Sequence, residues 1–409
     1  MNKATKSWIA YDAGNSAFAT TVLAAFFPLF FSSYWSADID EITSAKYYTA
    51  GLTVINFIIL VGMPIIGAIS DVKNITKYLF GTFTVLAAIM VISFYFIGLN
   101  SWLIAIILYG IALFCFSAAI VLYDKILIFI STPSNVSKIS GYGYATGYLG
   151  GGFLFVINSL MVMNPSWFGL VDNVSAIKWS FVTVGIWWLL FTLPLLKNYE
   201  HENIVEKNLS AAFKQIFQTF KDISNNKNII LFLVAFFLYI DGVHTIMSLA
   251  AIFGSGIGIG QESIITALIL VQFIAAPMTF FWSLIGHSYG DKKVLFATIF
   301  IYIGVVMFSM FLSNASEFYI MAALVGSVQG GIQASSRSLF AKIIPVEKSG
   351  EFFGFYNTFG RAGAVLGPLL VNVFLVYFND LKIALIPLII LFILGAIFLY
   401  FVNEKYETI

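Results

Sequence analysis

The chain alternates long apolar runs with short polar breaks. Windows of about 20 mostly apolar residues are long enough to cross a bilayer as a helix. They centre near Thr20, Phe57, Ala88, Ala112, Phe153, Trp187, Tyr239, Phe273, Val305, Val325, Ala364 and Phe392. Twelve membrane-spanning helices are predicted, and an even number puts both ends on one side. The longest polar stretch, residues 197–228, falls between the sixth and seventh runs and halves the chain. The expected organisation is therefore a six-helix bundle over 1–196, a linker over 197–228 and a second six-helix bundle over 229–409. Inside the linker, "LSAAFKQIFQTFKDI" has apolar residues at helical spacing with lysines opposite. It reads either as a helix lying on the membrane surface or as a solvated linker helix.

Composition agrees with this pattern. Hydrophobic residues make up 60% of the chain and charged residues 10%, against about 25% charged in an ordinary soluble protein. The fold class is an all-α, multi-pass membrane protein. A net charge of +1 argues against nucleic acid as a partner. Asp12 interrupts the N-terminal region before any long apolar run, which argues against a simple cleavable signal peptide. The single cysteine, Cys115, lies in an apolar run and reads as packing. Lysine placement orients the chain. With the N-terminus inside, inner segments hold fifteen lysines and outer segments only Lys46, Lys178 and Lys382, so both termini are expected in the cytoplasm.

The two halves resemble each other. "LAAFFP" at Leu23 and "LAAIFG" at Leu249 are 226 residues apart, and the same shift sets Asn15 on Asp241 and Phe18 on His244. "PSNVSKISGYGYATGYLGG" from Pro133 resembles "PVEKSGEFFGFYNTFGRAGA" from Pro345, a shift that sets Lys125 on Arg337. Two six-helix halves in the same orientation are the parallel-repeat plan of major facilitator transporters, whose substrate sites lie near the midplane between the halves.

"GAISDVKNITK", from Gly67, is similar to the G-x-x-x-D loop signature of that superfamily. The resemblance implies that Asp71 caps and latches neighbouring helices on the cytoplasmic side. In the second half, "SLIGHSYGDKK" has Ser283 and His287 where Gly and Asp would stand, so His287 is expected to carry an altered latch there. Longer stretches resemble one branch, the vacuolar amino-acid effluxers linked to autophagy and their bacterial relatives. They are "YDAGNSAFATTVLAAFFP" at Tyr11, "SGYGYATGYLGGG" at Ser140, "YIDGVHTI" at Tyr239 and "GGIQASSRSLFAKIIP…EFFGFYNTFGRAGAVLGP" from Gly330. The fourth run departs from the branch: "LYDKILI" has Asp124 and Lys125 where relatives show Tyr-Asn, an apolar pair and Pro.

The charges inside the apolar runs are the functional candidates. A charge facing lipid costs on the order of 2.5–3.5 kcal/mol even on lenient insertion scales. Asp12, Asp124, Lys125, Asp241, His244, Arg337 and Arg361 are therefore expected to face a wet or paired interior. The superfamily plan implies that helices one, four, seven and ten line it. Asp241 and His244, three residues apart, are expected to share a helix face on the cavity. Asp241, Asp12, His244 and Asp124 are the candidates for proton coupling. Substrate contacts are expected from Asp241, Arg337, Arg361, Gln329, Gln333, Asn15, Gln272 and Asn357. Asp71, Lys125 and His287 are the expected gating residues. Asp124 and Lys125, adjacent in sequence, diverge around their helix and are expected to pair separately. The glycine runs "GYLGGG" and "VQGG" read as close helix packing.

No zinc spacing, nucleophile elbow, Walker loop or dinucleotide fingerprint occurs, so neither an enzyme nor a cofactor is expected. The reading is a monomeric secondary transporter in a bacterial inner membrane, moving a small polar solute by alternating access with a proton. A cavity holding both Asp and Arg suits a zwitterion such as an amino acid. The alternatives are a transporter of drug- or siderophore-like molecules and a non-transporting membrane receptor of the same fold.

Overall fold

The computed structural model describes residues 1–200, 226–362 and 366–404. The linker helix expected within residues 197–228 has its sequence at 209–223, and it lies outside the described residues together with His201 and Ala364. Twelve long helical rods account for most of what is described. They are α1 Lys3–Trp35, α2 Glu41–Val72, α3 Thr76–Phe96, α4 Trp102–Ile130, α5 Val136–Met163 and α6 Asn173–Asn198. The second set comprises α7 Lys227–Gly256, α8 Gln261–Tyr289, α9 Asp291–Ser309 and α10 Ala315–Ile343. It closes with α11, described as Ser349–Ala362 and Leu366–Phe378, and α12 Ile383–Tyr400. Eleven are long and apolar enough to span a membrane. The exception, α10, is 29 residues long, but Glu317, Gln329, Gln333, Arg337 and Lys342 make it too polar. That polarity reflects what it faces.

Helix ends coincide with the polar breaks because capping side chains sit there. Asn2, Asp40, Asn226 and Asn314 each accept backbone N–H bonds from the first turn of α1, α2, α7 and α10, which satisfies donors the helix cannot. Asp172 and Ser175 form a reciprocal box at the start of α6. The Ser175 backbone N–H holds the Asp172 carboxyl below its ordinary range, so this cap stays ionised to a lower pH than a free aspartate. Gly290 ends α8 at φ +97, a left-handed turn that glycine alone takes without strain.

In the first half α1 packs on α5 and α6, and α4 on α3 and α2; in the second α10 packs on α8 and α9, and α12 on α7. The halves meet through α2 with α11 and α5 with α8. An aromatic block of Phe27, Phe30, Trp35, Phe94 and Phe181 fills one end of the first half, with Phe27 stacked on Tyr109 at 3.9 Å. Large apolar side chains such as Phe57, Phe96, Phe300 and Ile390 are exposed on the outside. Such a surface suits lipid, and in water it would be an aggregation liability.

The glycine-rich run of α5 does serve close packing. A Cβ on Gly150 would lie 2.8 Å from Ala13 Cα, and one on Gly151 2.9 Å from the Ser16 carbonyl carbon. Because α1 backbone blocks the space, Gly150→Leu is expected to separate α1 from α5 and to cost about 1–3 kcal/mol or more, as overpacking does. Gly304, where a Cβ would meet nothing within 4 Å, is the control: Gly304→Ala should stay within about 0.5 kcal/mol. Thermal unfolding in detergent distinguishes the two.

Candidate functional site

A cavity of about 580 Å³ lies between the halves, lined by α1, α4 and α5 on one side and by α7, α8, α10 and α11 on the other. The expected set of one, four, seven and ten is therefore present, joined by α5, α8 and α11. Exposure runs along its depth. Asp12, Tyr123, Asp124 and Arg337 at the inner end are 5%, 0%, 3% and 3% exposed, whereas Met247 and Leu268 are 40% and 42% exposed. In α1, α7, α8 and α10 the inner residues lie toward the face that carries both termini, so the cavity opens on the opposite face.

Helix α1 changes winding partway along the cavity wall. Residues Phe18–Phe26 are wound with i→i+5 bonds, ending with the Phe27 N–H on the Val22 carbonyl. The wider turn brings Ala19 with Ala24, and Thr20 with Ala25, to the same wall at a spacing of five. An α-helical turn would rotate the second residue of each pair away.

Arg337 occupies the cavity floor and joins the halves. Its Nη1 donates to Asp124 Oδ1 at 3.3 Å, its Nε to Ser140 Oγ at 3.0 Å, and its Nη2 to the Ser140 carbonyl at 2.9 Å. Asp12 Oδ2 is 4.0 Å from Nη2. The guanidinium lies 4.8 Å from the Trp8 ring, 5.4 Å from Tyr123 and 4.2 Å from Tyr144. Aromatic faces are a favourable setting for a partly desolvated cation. Asn357 Nδ2 donates to the other Asp124 oxygen at 3.2 Å.

Higher on the wall, Tyr148 donates to Gln333 at 3.1 Å, and Arg361 Nη2 donates to Ser117 Oγ at 2.5 Å. Asn15 Nδ2, Gln272 Oε1, Gln329 Oε1 and Asp12 Oδ2 have no hydrogen-bond partner among the described residues, and all four side chains line the cavity. His244 lines it as well.

Asp241 does not. Its carboxylate is fully buried against α11, where a Cβ on Gly367 would lie 3.1 Å from Oδ2. Neither oxygen has a hydrogen-bond partner among the described residues. The expectation that Asp241 and His244 share the cavity face is corrected by simple geometry. Three residues advance a helix by about 300°, which leaves the two side chains about 60° apart, enough to send one to the cavity and the other to a neighbouring helix.

Below the floor the termini face is sealed. Asp71 accepts the backbone N–H of Gly350 at 2.9 Å and of Glu351 at 2.8 Å, so an aspartate of one half caps the first turn of α11 in the other. A negative charge at a helix N-terminus is favourable. Lys125 pairs with the same carboxylate at 3.2 Å and donates to the Ser70 carbonyl at 2.7 Å. It therefore faces away from the cavity while its neighbour Asp124 faces into it, the divergence expected of adjacent residues. Gly67 lies against the Gly350 carbonyl, and Gly354 against Met63 and Pro64.

The second latch uses a residue that sequence matching did not select. His287 is exposed. Instead Asp291 accepts from Ser137 Oγ of the first half at 2.7 Å and pairs with Lys342 at 2.8 Å. Gly290 alone separates α8 from α9, and the acid stands four residues beyond His287, at the first position of α9. The missed cavity residues include the aromatics Tyr123, Tyr144 and Tyr148. A usable signal was present, since Tyr144 and Tyr148 are one turn apart on a helix otherwise rich in glycine.

A sealed floor under an open, charged cavity between two six-helix sets is the geometry of a major facilitator superfamily transporter, and the chain is a multi-pass integral membrane protein of that type. It belongs to the family described as "Vacuole effluxer Atg22 like", whose sequence profile it matches over residues 34–134 and 130–407. It is 34% identical to the uncharacterized MFS-type transporter YxiO of Bacillus subtilis (strain 168), over 100% of this chain and 96% of that one. Autophagy-related protein 22 of Yarrowia lipolytica is 28% identical over 64% of this chain, which spans only 50% of that relative's length. The proton:xylose symporter XylE has the same fold, with a TM-score of 0.73 at 12% identity, over 99% of this chain and 96% of that one.

Proposed function

We propose that the protein is a secondary active transporter that moves a small polar solute, an amino acid or similar zwitterion, by alternating access with proton coupling. The observation that carries this reading is the asymmetry of the cavity: charged side chains at its floor, a latch below them and an open mouth above. Asp12 is proposed to take the solute amine or a proton and Asp241 a proton, while Arg337 or Arg361 meets the carboxylate. Gln329, Gln333, Gln272, Asn15 and Asn357 supply neutral hydrogen bonds, and His244 and Asp124 assist proton movement. Asp71, Lys125 and Asp291 hold the gate. The proposed setting is a bacterial inner membrane, with a single chain as the working unit. The lysine bias of fifteen to three supports cytoplasmic termini, so this conformation opens to the outside.

Counterflow of radiolabelled amino acids in proteoliposomes tests the reading, and absence of counterflow for every amino acid would defeat it. Asp241 gives the sharper prediction. An ionised carboxylate is costly to bury where no hydrogen-bond partner meets it among the described residues, so a proton arriving or leaving there shifts the energetics of the α7–α11 contact. Asp241→Asn should abolish stimulation by a pH gradient while solute exchange persists. Unchanged stimulation would remove Asp241 from the coupling mechanism.

A further inference from the structure

Of 21 basic residues in the chain, only Arg337 and Arg361 are arginine; the other nineteen are lysine. Both arginines line the cavity. Lysine serves outside the cavity, at the helix ends and in the buried pair of Lys125 with Asp71, where a point charge is enough. A guanidinium differs in offering a planar fork that matches a carboxylate with two parallel bonds.

The two arginines are not equivalent. Arg337 is already engaged by Asp124, Asp12 and Ser140 and is surrounded by three aromatic rings. Among the described residues, Arg361 makes one hydrogen bond, to the neutral Ser117 hydroxyl, and no carboxylate lies within ion-pair distance of it. Charge therefore separates along the cavity. With both acids ionised, two carboxylates around one guanidinium leave the floor one negative charge in excess, and Arg361 leaves the wall one positive charge in excess among the described residues. The floor also has an unsatisfied acceptor, since Asp12 is 5% exposed and its Oδ2 has no hydrogen-bond partner among the described residues.

Resting on the transport reading above, we infer that Arg361, and not Arg337, anchors the carboxylate of the transported solute, and that Asp12 receives its ammonium group. A cation without a counter-charge in a partly desolvated wall is costly until an anion arrives. A monoanionic carboxylate supplies one negative charge and two acceptor oxygens. A zwitterion neutralises both poles at once, whereas a simple cation or a neutral sugar leaves Arg361 uncompensated. Arg337 is the positioning residue that holds the two floor acids and joins the halves.

Two readouts on the purified full-length protein test the assignment. Phenylglyoxal modifies arginine, and the two arginine-containing peptides can be followed separately by mass spectrometry. Arg361 should react on the order of tenfold faster than Arg337, whose N–H groups are engaged. Equal rates, or an unreactive Arg361, would overturn the inference. The twenty proteinogenic amino acids and their α-amides are then compared by thermal shift. At least one amino acid should stabilise the protein and slow modification of Arg361, and its amide should do neither. Arg361→Gln should abolish that stabilisation. Arg361→Lys, which keeps the charge and loses the fork, should weaken binding roughly 10-fold in protein that remains monodisperse. Stabilisation by the amide as strong as by the acid, binding that survives Arg361→Gln, or no amino acid binding at all would each overturn it. Failure of the transport reading looks different: an amino acid would bind through Arg361, yet wild-type protein would not move it across liposomes.

Discussion

Arg337→Met should destabilise the folded protein by about 3–5 kcal/mol, the usual cost of removing one partner from a buried ion pair. The side chain is 3% exposed and faces Asp124, itself 4% exposed. Methionine keeps much of the volume and contact with Trp8 and Tyr144 but leaves two acids on the floor without a cation. The size of the effect comes from those stranded carboxylates and not from the lost contact alone. A second substitution is therefore informative. Adding Asp124→Asn to Arg337→Met should recover a large part of the loss, because one of the stranded charges is then gone. A double-mutant cycle from thermal or denaturant unfolding in detergent measures the coupling. Strictly additive losses would mean that the two groups do not interact. The same variant should also loosen the junction between halves, since Arg337 of α10 bonds Ser140 of α5.

Breaking the seal on the termini face is the second large effect. Asp71 and Lys125 have side chains 1% and 0% exposed, and Asp71 also holds two backbone N–H groups of α11. Asp71→Asn keeps the shape, removes the carboxylate charge that faces Lys125 at 3.2 Å, and turns an amide toward donors it cannot fully satisfy. A loss of roughly 3 kcal/mol from the sealed state would change the ratio of sealed to open molecules on the order of 100-fold. The lone native cysteine makes this measurable. In a Cys115→Ala background, Ala334→Cys introduces a thiol at a position 2% exposed in the sealed state, so its maleimide labelling reports opening. Gly67→Ala tests the same seal sterically, because Gly67 lies against the Gly350 carbonyl. Opening by Gly67→Ala but not by Asp71→Asn would make the seal a matter of fit and not of charge.

Much of this architecture was legible in the sequence because a bilayer imposes simple rules. Backbone groups in lipid must be bonded within the segment, so an apolar run of sufficient length becomes a helix whatever surrounds it. The window centres at Thr20, Phe57 and Phe392 accordingly fall inside α1, α2 and α12. The cost of a charge in lipid also made Asp12, Asp124, Arg337 and Arg361 recognisable as cavity residues, and the divergence of Asp124 from Lys125 followed from helical geometry. Asp71 was legible for another reason, since its loop signature couples an acid to a helix turn at fixed spacing.

The failures share a cause. Position counting points to His287, but the latch falls four residues later, on Asp291 at the start of α9. Asp241 was assigned to the cavity because it is charged, but its 60° offset from His244 turned it to α11. The role of Arg361 depended on a fact outside its own helix, the absence of an acid among the described residues near it. Tyr144 and Tyr148 were overlooked because an aromatic in an apolar helix carries no cost that marks it. The sequence by itself determined what must avoid lipid: the number of helices, their caps and the set of groups that need a polar setting. Tertiary structure alone decided which partner each group meets, because pairing depends on helix rotation by tens of degrees and approach by an ångström. Those quantities come from packing two six-helix sets against each other, and no local spacing along one chain contains them.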